Sequence, residues 1–412
     1  MPPIPLPILT PDLARPLRVT PTDVSSFVRL EQCERFLRFR LAERAGQDFM
    51  PAYDVTPQRI SPLLTLSGRS FEEEVERAIR TGFRSVHYAE LAGHAHNRLA
   101  NDEEVVREAR RLLEGEAVVL FQPRLEVAID GWLIRGDVDL LRLERHADGG
   151  LHALVVDLKS TTEVKVEHRL QVGFYHMMLE ALFHRHGVDL GQAQTAIIFR
   201  PSTDLAEDAG DEARLDGDAA RQWFGLTDAR LEVVADPEAY LRAVRDLVTG
   251  PDATARRVTS TPFDQLPFCL SFKCDGCLYN EWCMKESAER EDLSLLPYMT
   301  GVEKEALRRA GVTTVLGIAG LKDLSADGEL SAAAGGEIVV RQLAATWPVG
   351  PRLDELIHRG KQFRKSVRRD GTAALGYIPG KGQSSLPACY GRTCWCGLAR
   401  LCCGMESGNP LR

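Results

Sequence analysis

Residues 125–141 hold two apolar runs separated by the polar Asp130-Gly131. An Asp-Gly pair between two apolar runs signals a two-residue hairpin turn, so residues 125–129 and 132–141 are predicted to be antiparallel strands. Asp139 then falls near the end of the second strand. Residues 151–158 are β-branched and apolar, which predicts a third strand. The period then changes: from Gln171 through Tyr175 to His184 the residues suit a helix, and residues 194–200 predict a closing strand.

Upstream, residues 24–45 are helical in pattern, the chain is irregular through Pro51, Pro57 and Pro62, and an amphipathic run extends from Glu72 to Ile79. Residues 101–116 read as another amphipathic helix, with Val105, Ala109 and Leu112 or Leu113 on one side. Its Arg107, Arg110 and Arg111 form a stripe open to solvent or to a phosphate backbone. Downstream, residues 237–249 predict a helix. Residues 293–321, with glycines at 301 and 311, have the pattern of a helix-hairpin-helix, whose helix N-termini grip phosphate without reading bases. A plain helical connector has the same pattern. Beyond Ser325 the periodicity weakens into Ala- and Gly-rich segments.

Polar groups interrupt this frame at a few places. Side chains two apart on a strand project to the same side, so Asp157 and Lys159 share a face of the third strand. An unpaired charge on a buried strand is costly, so the pair needs a reason to be there. A surface ion pair of little energetic consequence has the same spacing. Gln171 and Tyr175, four apart, share one helical face.

Composition narrows the class. The 412 residues suggest two to three domains, and 44% hydrophobic with 27% charged residues is ordinary for a globular protein. No apolar run approaches the roughly 18 residues that span a membrane. The first 21 residues hold seven prolines and lack the basic start and apolar centre of a secretory signal, so a cytoplasmic location is expected. The net charge of -8 excludes a uniformly basic surface, though not a local basic groove. Charge is uneven: residues 204–218 are expected to form an acidic loop with seven acids and one arginine, and residues 359–369 carry six lysines and arginines. A Gly-rich stretch, Gly376 to Gly382, lacks the spacing and the following Ser or Thr of a phosphate loop, so no helicase motor is expected.

Ten cysteines in a cytoplasmic protein suggest ligands or free thiols before disulfides. Cys33 stands alone, and Cys274, Cys277 and Cys283 follow about 240 residues later. Four thiolates suit tetrahedral zinc or the corners of a 4Fe-4S cluster, and spacing does not choose between them. Cys269 reads as a small buried hydrophobe. Five more, at 389, 394, 396, 402 and 403, lie in a tail of poor periodicity.

Taken together, Gly136-x-Val-Asp139, Asp157-x-Lys159 and Gln171-x-x-x-Tyr175, preceded by Gly68-Arg-Ser-Phe-Glu72, resemble the nuclease core of RecB-like members of the PD-(D/E)xK superfamily. Many RecB-like relatives have histidine at the position of Glu72. One cysteine before the core and three after it resemble the iron-sulfur branch of that family, which includes CRISPR-associated and AddB-type exonucleases. Ser26, Leu30 and Cys33 match that branch's upstream pattern, with Glu34 in place of a common proline.

The resemblance implies an α/β, restriction-endonuclease-like core of helix, three strands, helix and strand. Its helical flanks would be closed by the four-cysteine cluster, and a small helix-hairpin-helix-like segment would follow. The implied division is a Pro-rich segment (1–21), a nuclease domain (22–290), the helix-hairpin-helix-like segment (291–325), a helical or irregular extension (326–385) and a Cys-rich tail, disordered or truncated (386–412). The implied activity is hydrolysis of DNA phosphodiester bonds, with exonuclease action on single-stranded DNA in repair, recombination or CRISPR-related processing. A helicase or other repair partner would act in trans. Glu72, Asp139 and Asp157 would hold Mg2+ or Mn2+, with Asp137 and Glu73 as second choices. Lys159, Gln171 and Tyr175 would serve catalysis, and Cys33, Cys274, Cys277 and Cys283 would hold the 4Fe-4S cluster. Two other classes share these features: a catalytically silent DNA-end-binding module with a structural or redox cluster, and a zinc-stapled protein.

Overall fold

The structure, a computed structural model, describes residues 6–9, 16–57, 62–88, 99–201 and 211–370, with the side chains of 64, 211–216 and 364–370 excepted. The Gly376 loop, the five tail cysteines and acidic residues 204–210 lie outside that set. By chain contacts the molecule divides into two units, one of Pro5–Asp48 with Arg59–Leu266, the other of Met1–Ile4, Phe49–Gln58 and Pro267–Arg412.

The first unit begins with strand β1 (Leu17–Val19). Helix α1 (Pro21–Arg29) starts after it because Thr20 Oγ1 accepts the Asp23 N–H and Pro21 fixes the first turn. The single helix expected over 24–45 is two. Glu31 and Gln32 take left-handed conformations (φ 56° and 57°), which reverse the chain before α2 (Glu34–Arg44). Helix α3 (Pro62–Arg80) presents Phe71, Val75 and Ile79, four residues apart, to the core. Next come β2 (Ser85–His87), α4 (Asp102–Arg111) and β3 (Ala117–Phe121). The helix expected over 101–116 ends early, and its last residues turn into β3, which carries its own apolar run.

The hairpin is present. β4 (Arg124–Ile129) and β5 (Trp132–Asp137) pair antiparallel with Ile129 opposite Trp132, and Asp130 and Gly131 both have positive φ, as a type I′ turn requires. The second strand, however, stops at Asp137. The Val138 N–H donates to Pro123 O at 3.1 Å and the Gln122 N–H to Asp139 O at 3.0 Å, so the chain leaves one sheet and restarts in another as β6 (Leu140–Arg145). Asp139 therefore lies on the break between two strands.

Three further strands complete this unit, β7 (Leu151–Lys159), β8 (Leu190–Phe199) and β9 (Arg230–Val233), with helices α5 (Val166–Arg185), α6 (Asp211–Phe224), α7 (Pro237–Val248) and α8 (Thr254–Ser260). Part of the acidic stretch expected as loop is thus the start of α6. The strands form a three-stranded sheet, β1-β5-β4, and a six-stranded sheet, β2-β3-β6-β7-β8-β9, in which β7 and β8 are parallel. Phe71, Val75 and Ile79 of α3 and Ala220 and Phe224 of α6 pack on Leu154, Val156 and Leu158 of β7. On the other face, Val172 of α5 meets Ile197 of β8. α5 also packs on β4, so it runs between the two sheets and is buried around most of its circumference.

In the second unit, α9 (Asn280–Glu289) packs Trp282 against Tyr53, and Lys285 Nζ donates to Tyr53 O at 2.8 Å. Residues 293–321 contain a 3-10 turn (Leu293–Leu295), α10 (Gly301–Arg309) with a Thr300–Glu303 capping box, and α11 (Val315–Ala319), five residues long. The weakly patterned extension holds a hairpin of β10 (Lys322–Leu324) and β11 (Leu330–Ala332), then α12 (Glu337–Ala344) and α13 (Leu353–Asp370). No helix among the described residues is long and apolar enough to cross a membrane.

Phe71 is 3% exposed and anchors α3 to the sheet. Phe71→Ala is expected to cost about 3–5 kcal/mol, the usual range for emptying a buried aromatic site. The loss will be read as a lower urea midpoint for the first unit.

Candidate active site

Asp157 ends the apolar run of β7 with no solvent exposure at all. A carboxylate so placed needs compensating partners. Two come from the residues that share its face. Lys159 Nζ stands 2.5 Å from Asp157 Oδ2, and Gln171 Nε2 donates to Asp157 Oδ1 at 3.0 Å. The same amide nitrogen donates to the Tyr175 hydroxyl at 3.3 Å, which ties two consecutive turns of α5 to the strand. Oδ2 is thus the oxygen that carries the ion pair and Oδ1 the one that carries the amide bond.

Asp139 reaches the same place from the break between β5 and β6. Its Oδ2 accepts the Leu158 N–H at 2.7 Å, one residue beyond Asp157, and its backbone carbonyl is held by Gln122. Glu72, next to the anchor Phe71, comes from the opposite face of the sheet. Burial, and after it the Asp139 charge, pushes the Glu72 carboxyl up to about 7. Burial and the Asp157 charge likewise raise Asp139 well above the ordinary carboxylate range. Glu72 and Asp157 therefore each repel Asp139, with Lys159 as the shared counter-charge.

Burial alone would lower the Lys159 pKa, but Asp157 and then Asp139 outweigh it and hold the ammonium above its usual value. Burial, followed by the same two carboxylates, pushes the Tyr175 phenol well up, so it stays neutral and acts by hydrogen bonding.

The two second-choice ligands are engaged elsewhere or exposed. Asp137 takes a bidentate pair of bonds from Arg124 at 2.7 and 2.8 Å, and the break after it ends the strand alternation that would align it with Asp139. Glu73 is solvent-exposed.

Two residues of the site carry roles that sequence pattern did not suggest. His168 lies one turn before Gln171, and its Nδ1 accepts the Lys165 N–H at 3.2 Å at the start of α5. Burial, then Lys159, pushes its imidazole down to about 4. Gly136 faces the Tyr175 ring. A Cβ there would lie 2.8 Å from Tyr175 Cε1 and 2.9 Å from Pro21 Cγ, closer than real contacts allow.

Hard carboxylate oxygens that raise one another's proton affinity suit a divalent cation such as Mg2+ or Mn2+. Among the described residues no three His, Cys, Asp or Glu groups already stand as a metal cage. The four-cysteine cluster is accordingly not shown. Cys33 precedes α2 in the first unit, and Cys274, Cys277 and Cys283 belong to the second. Within the second unit the Ser271 N–H donates to Cys274 Sγ at 3.4 Å and the Tyr279 N–H to Cys277 Sγ at 3.5 Å. Cys269 is half-buried, and burial pushes its thiol up to about 12.

Two outcomes follow. Gly136→Ala is expected to destabilise by about 1–3 kcal/mol through overpacking against Tyr175 and Pro21, measured by chemical denaturation. A carboxyl whose pKa rises from 4.5 to about 7 on folding contributes stability that is full below 4.5 and is lost as pH rises through 7. The thermal midpoint of metal-free protein should therefore fall across that interval, and Glu72→Gln should flatten the fall.

A family profile for the PD-(D/E)XK nuclease superfamily matches residues 40–284, more than half of the chain. No curated protein matches it. Among solved structures it is similar to one titled "Crystal structure of SSO0001", at 10% identity and a TM-score of 0.29, covering 66% of this chain and 87% of that one. A likeness of that size carries no argument about fold or activity. Members of the matched superfamily are nucleases and typically use Mg2+ or Mn2+. The chain belongs to the PD-(D/E)XK nuclease superfamily.

Proposed function

We propose that this protein is a metal-dependent nuclease that hydrolyses DNA phosphodiester bonds, of the RecB-like kind, acting as an exonuclease on single strands. The observation that carries the reading is the fully buried Asp157 paired with Lys159 at the end of β7, with Asp139 bonded to the next peptide N–H. Support for the single-strand and RecB-like part comes from the order of motifs in the sequence.

Glu72, Asp139 and Asp157 would hold the cation. When bound, Mg2+ or Mn2+ supplies Lewis acidity and a lowered pKa for water. Lys159 keeps its proton and offsets negative charge that grows on the phosphoryl oxygens. Gln171 fixes the Asp157 carboxylate through Oδ1, and Lys159 holds Oδ2. Tyr175, neutral and tied to Gln171, orients that amide.

The test is end-labelled single-stranded and duplex DNA and RNA, incubated with Mg2+, Mn2+ or chelator. Parent protein should cut only with metal, and Lys159→Ala and Asp157→Asn should lose about 100-fold or more. The position of the label in the products reads polarity. Binding without cutting under every metal condition overturns the proposal and leaves a silent DNA-binding module.

A thiolate-bound metal at Cys33, Cys274, Cys277 and Cys283 extends this reading. Its support is the one-plus-three order of the cysteines and the two backbone N–H bonds to sulfur, a feature that tunes metal-bound thiolates. Iron and sulfide in anaerobically purified protein, lost in Cys277→Ser, are expected. Zinc without iron would favour a zinc staple, and the absence of both metals would remove the extension.

A further inference from the structure

β1 runs parallel to β5 with Arg18 beside Leu133, and β4 places Glu126 opposite Arg135. Side chains alternate along strands, so Arg18, Leu133, Arg135 and Asp137 share the sheet face that Gly136 does not use. Gly136, of opposite parity, faces Tyr175.

Most charges near this face are matched. Arg135 pairs with Glu126, Arg124 with Asp137, and Asp23 takes Arg40 at 2.7 Å and Arg44 at 3.3 Å. Arg18 is the exception. It makes no hydrogen bond or ion pair with any described residue, and its Nε is buried without an acceptor. Burial, then Arg44 and Arg135, lower its pKa against a smaller opposing pull from Asp23 and Glu126, the carboxylates with which those two arginines pair. A half-buried guanidinium whose Nε is buried without an acceptor has donors to give to an anion.

We propose that Arg18, backed by Arg44 and Arg135, is a phosphodiester subsite that holds a nucleic-acid strand next to the cleavage centre. The planar guanidinium matches phosphate oxygens, and the neighbouring cations favour an anion over a neutral group. Its location supports a backbone phosphate of the substrate strand. Three residues after Arg18, Pro21 packs at Gly136 beside Tyr175. Arg135 precedes Asp139 by four residues, at most about 14 Å of extended chain. A strand with its scissile phosphate at the carboxylates would pass this face a few nucleotides away.

The inference rests on the nuclease reading, and its test separates the two. Full-length parent, Arg18→Gln and Arg18→Lys would be titrated against a fluorescein-labelled single-stranded oligonucleotide, with Ca2+ in place of Mg2+, over a series of KCl concentrations. Arg18→Gln should weaken binding about tenfold and reduce the magnitude of the log K against log salt slope by about 0.7, one single-strand phosphate contact. Arg18→Lys, which keeps the charge, should keep the slope. Turnover of bis(p-nitrophenyl) phosphate, which carries no flanking nucleotides, should be the same in Arg18→Gln and parent. An unchanged affinity and slope in Arg18→Gln overturns the subsite and leaves the nuclease reading standing. So does an equal loss of oligonucleotide binding and small-diester turnover, which marks a damaged fold. A parent that turns over neither substrate but keeps the slope difference overturns the nuclease reading and supports the subsite.

Discussion

Everything around the site answers to one carboxylate with no contact with water. Asp157 sits where β7 would otherwise continue as an apolar core strand, and its burial is tolerable because Lys159 stands 2.5 Å away and Gln171 reaches it at 3.0 Å. These two demands shape the neighbouring elements. α5 lies between two sheets and needs apolar residues almost all round, yet it carries Gln171 and Tyr175 on the turns that meet Asp157. The strand break at Val138 then brings Asp139 to the next peptide, where it caps the Leu158 N–H.

The consequence is an excess of negative charge. Three carboxylates face one ammonium, and the surplus appears as raised proton affinity in Glu72 and Asp139 and a firmly held proton on Lys159. A divalent cation held there, as proposed, would compete with those protons and bind more tightly as pH rises through 7. The lysine that retains its proton is suited to charge stabilisation more than to proton abstraction.

Much of this was legible because it is local. The Asp130-Gly131 turn, the apolar run of β7, the two-residue spacing of Asp157 and Lys159 and the four-residue spacing of Gln171 and Tyr175 are each set by a periodicity within one element. What was not legible depends on partners far along the chain. The division of the predicted second strand into β5 and β6 follows from bonds that Gln122 and Pro123 make across the break. The parallel pairing of β1 with β5, and so the place of Arg18, has no local signature. Gly136 is a glycine in a strand until Tyr175 and Pro21 are seen to converge on it. The helix break at Glu31-Gln32 puts two ordinary residues in left-handed conformations, which no propensity would suggest.

The same interdependence governs how substitutions at the site are to be read. Gln171 is 8% exposed and spends its amide nitrogen on Asp157 and Tyr175 together. Removing the carboxylate would strand a buried amide and leave the Lys159 ammonium without its nearest counter-charge, so a lost activity would mix chemistry with local unfolding. An isosteric amide keeps the volume and part of the hydrogen bonding while deleting the charge. Truncating Lys159 in turn leaves the fully buried Asp157 carboxylate with no counter-charge and only the Gln171 amide. Stability must therefore be measured alongside turnover at the lysine as well as at the carboxylate, and a loss of turnover reports on chemistry only where the fold is kept.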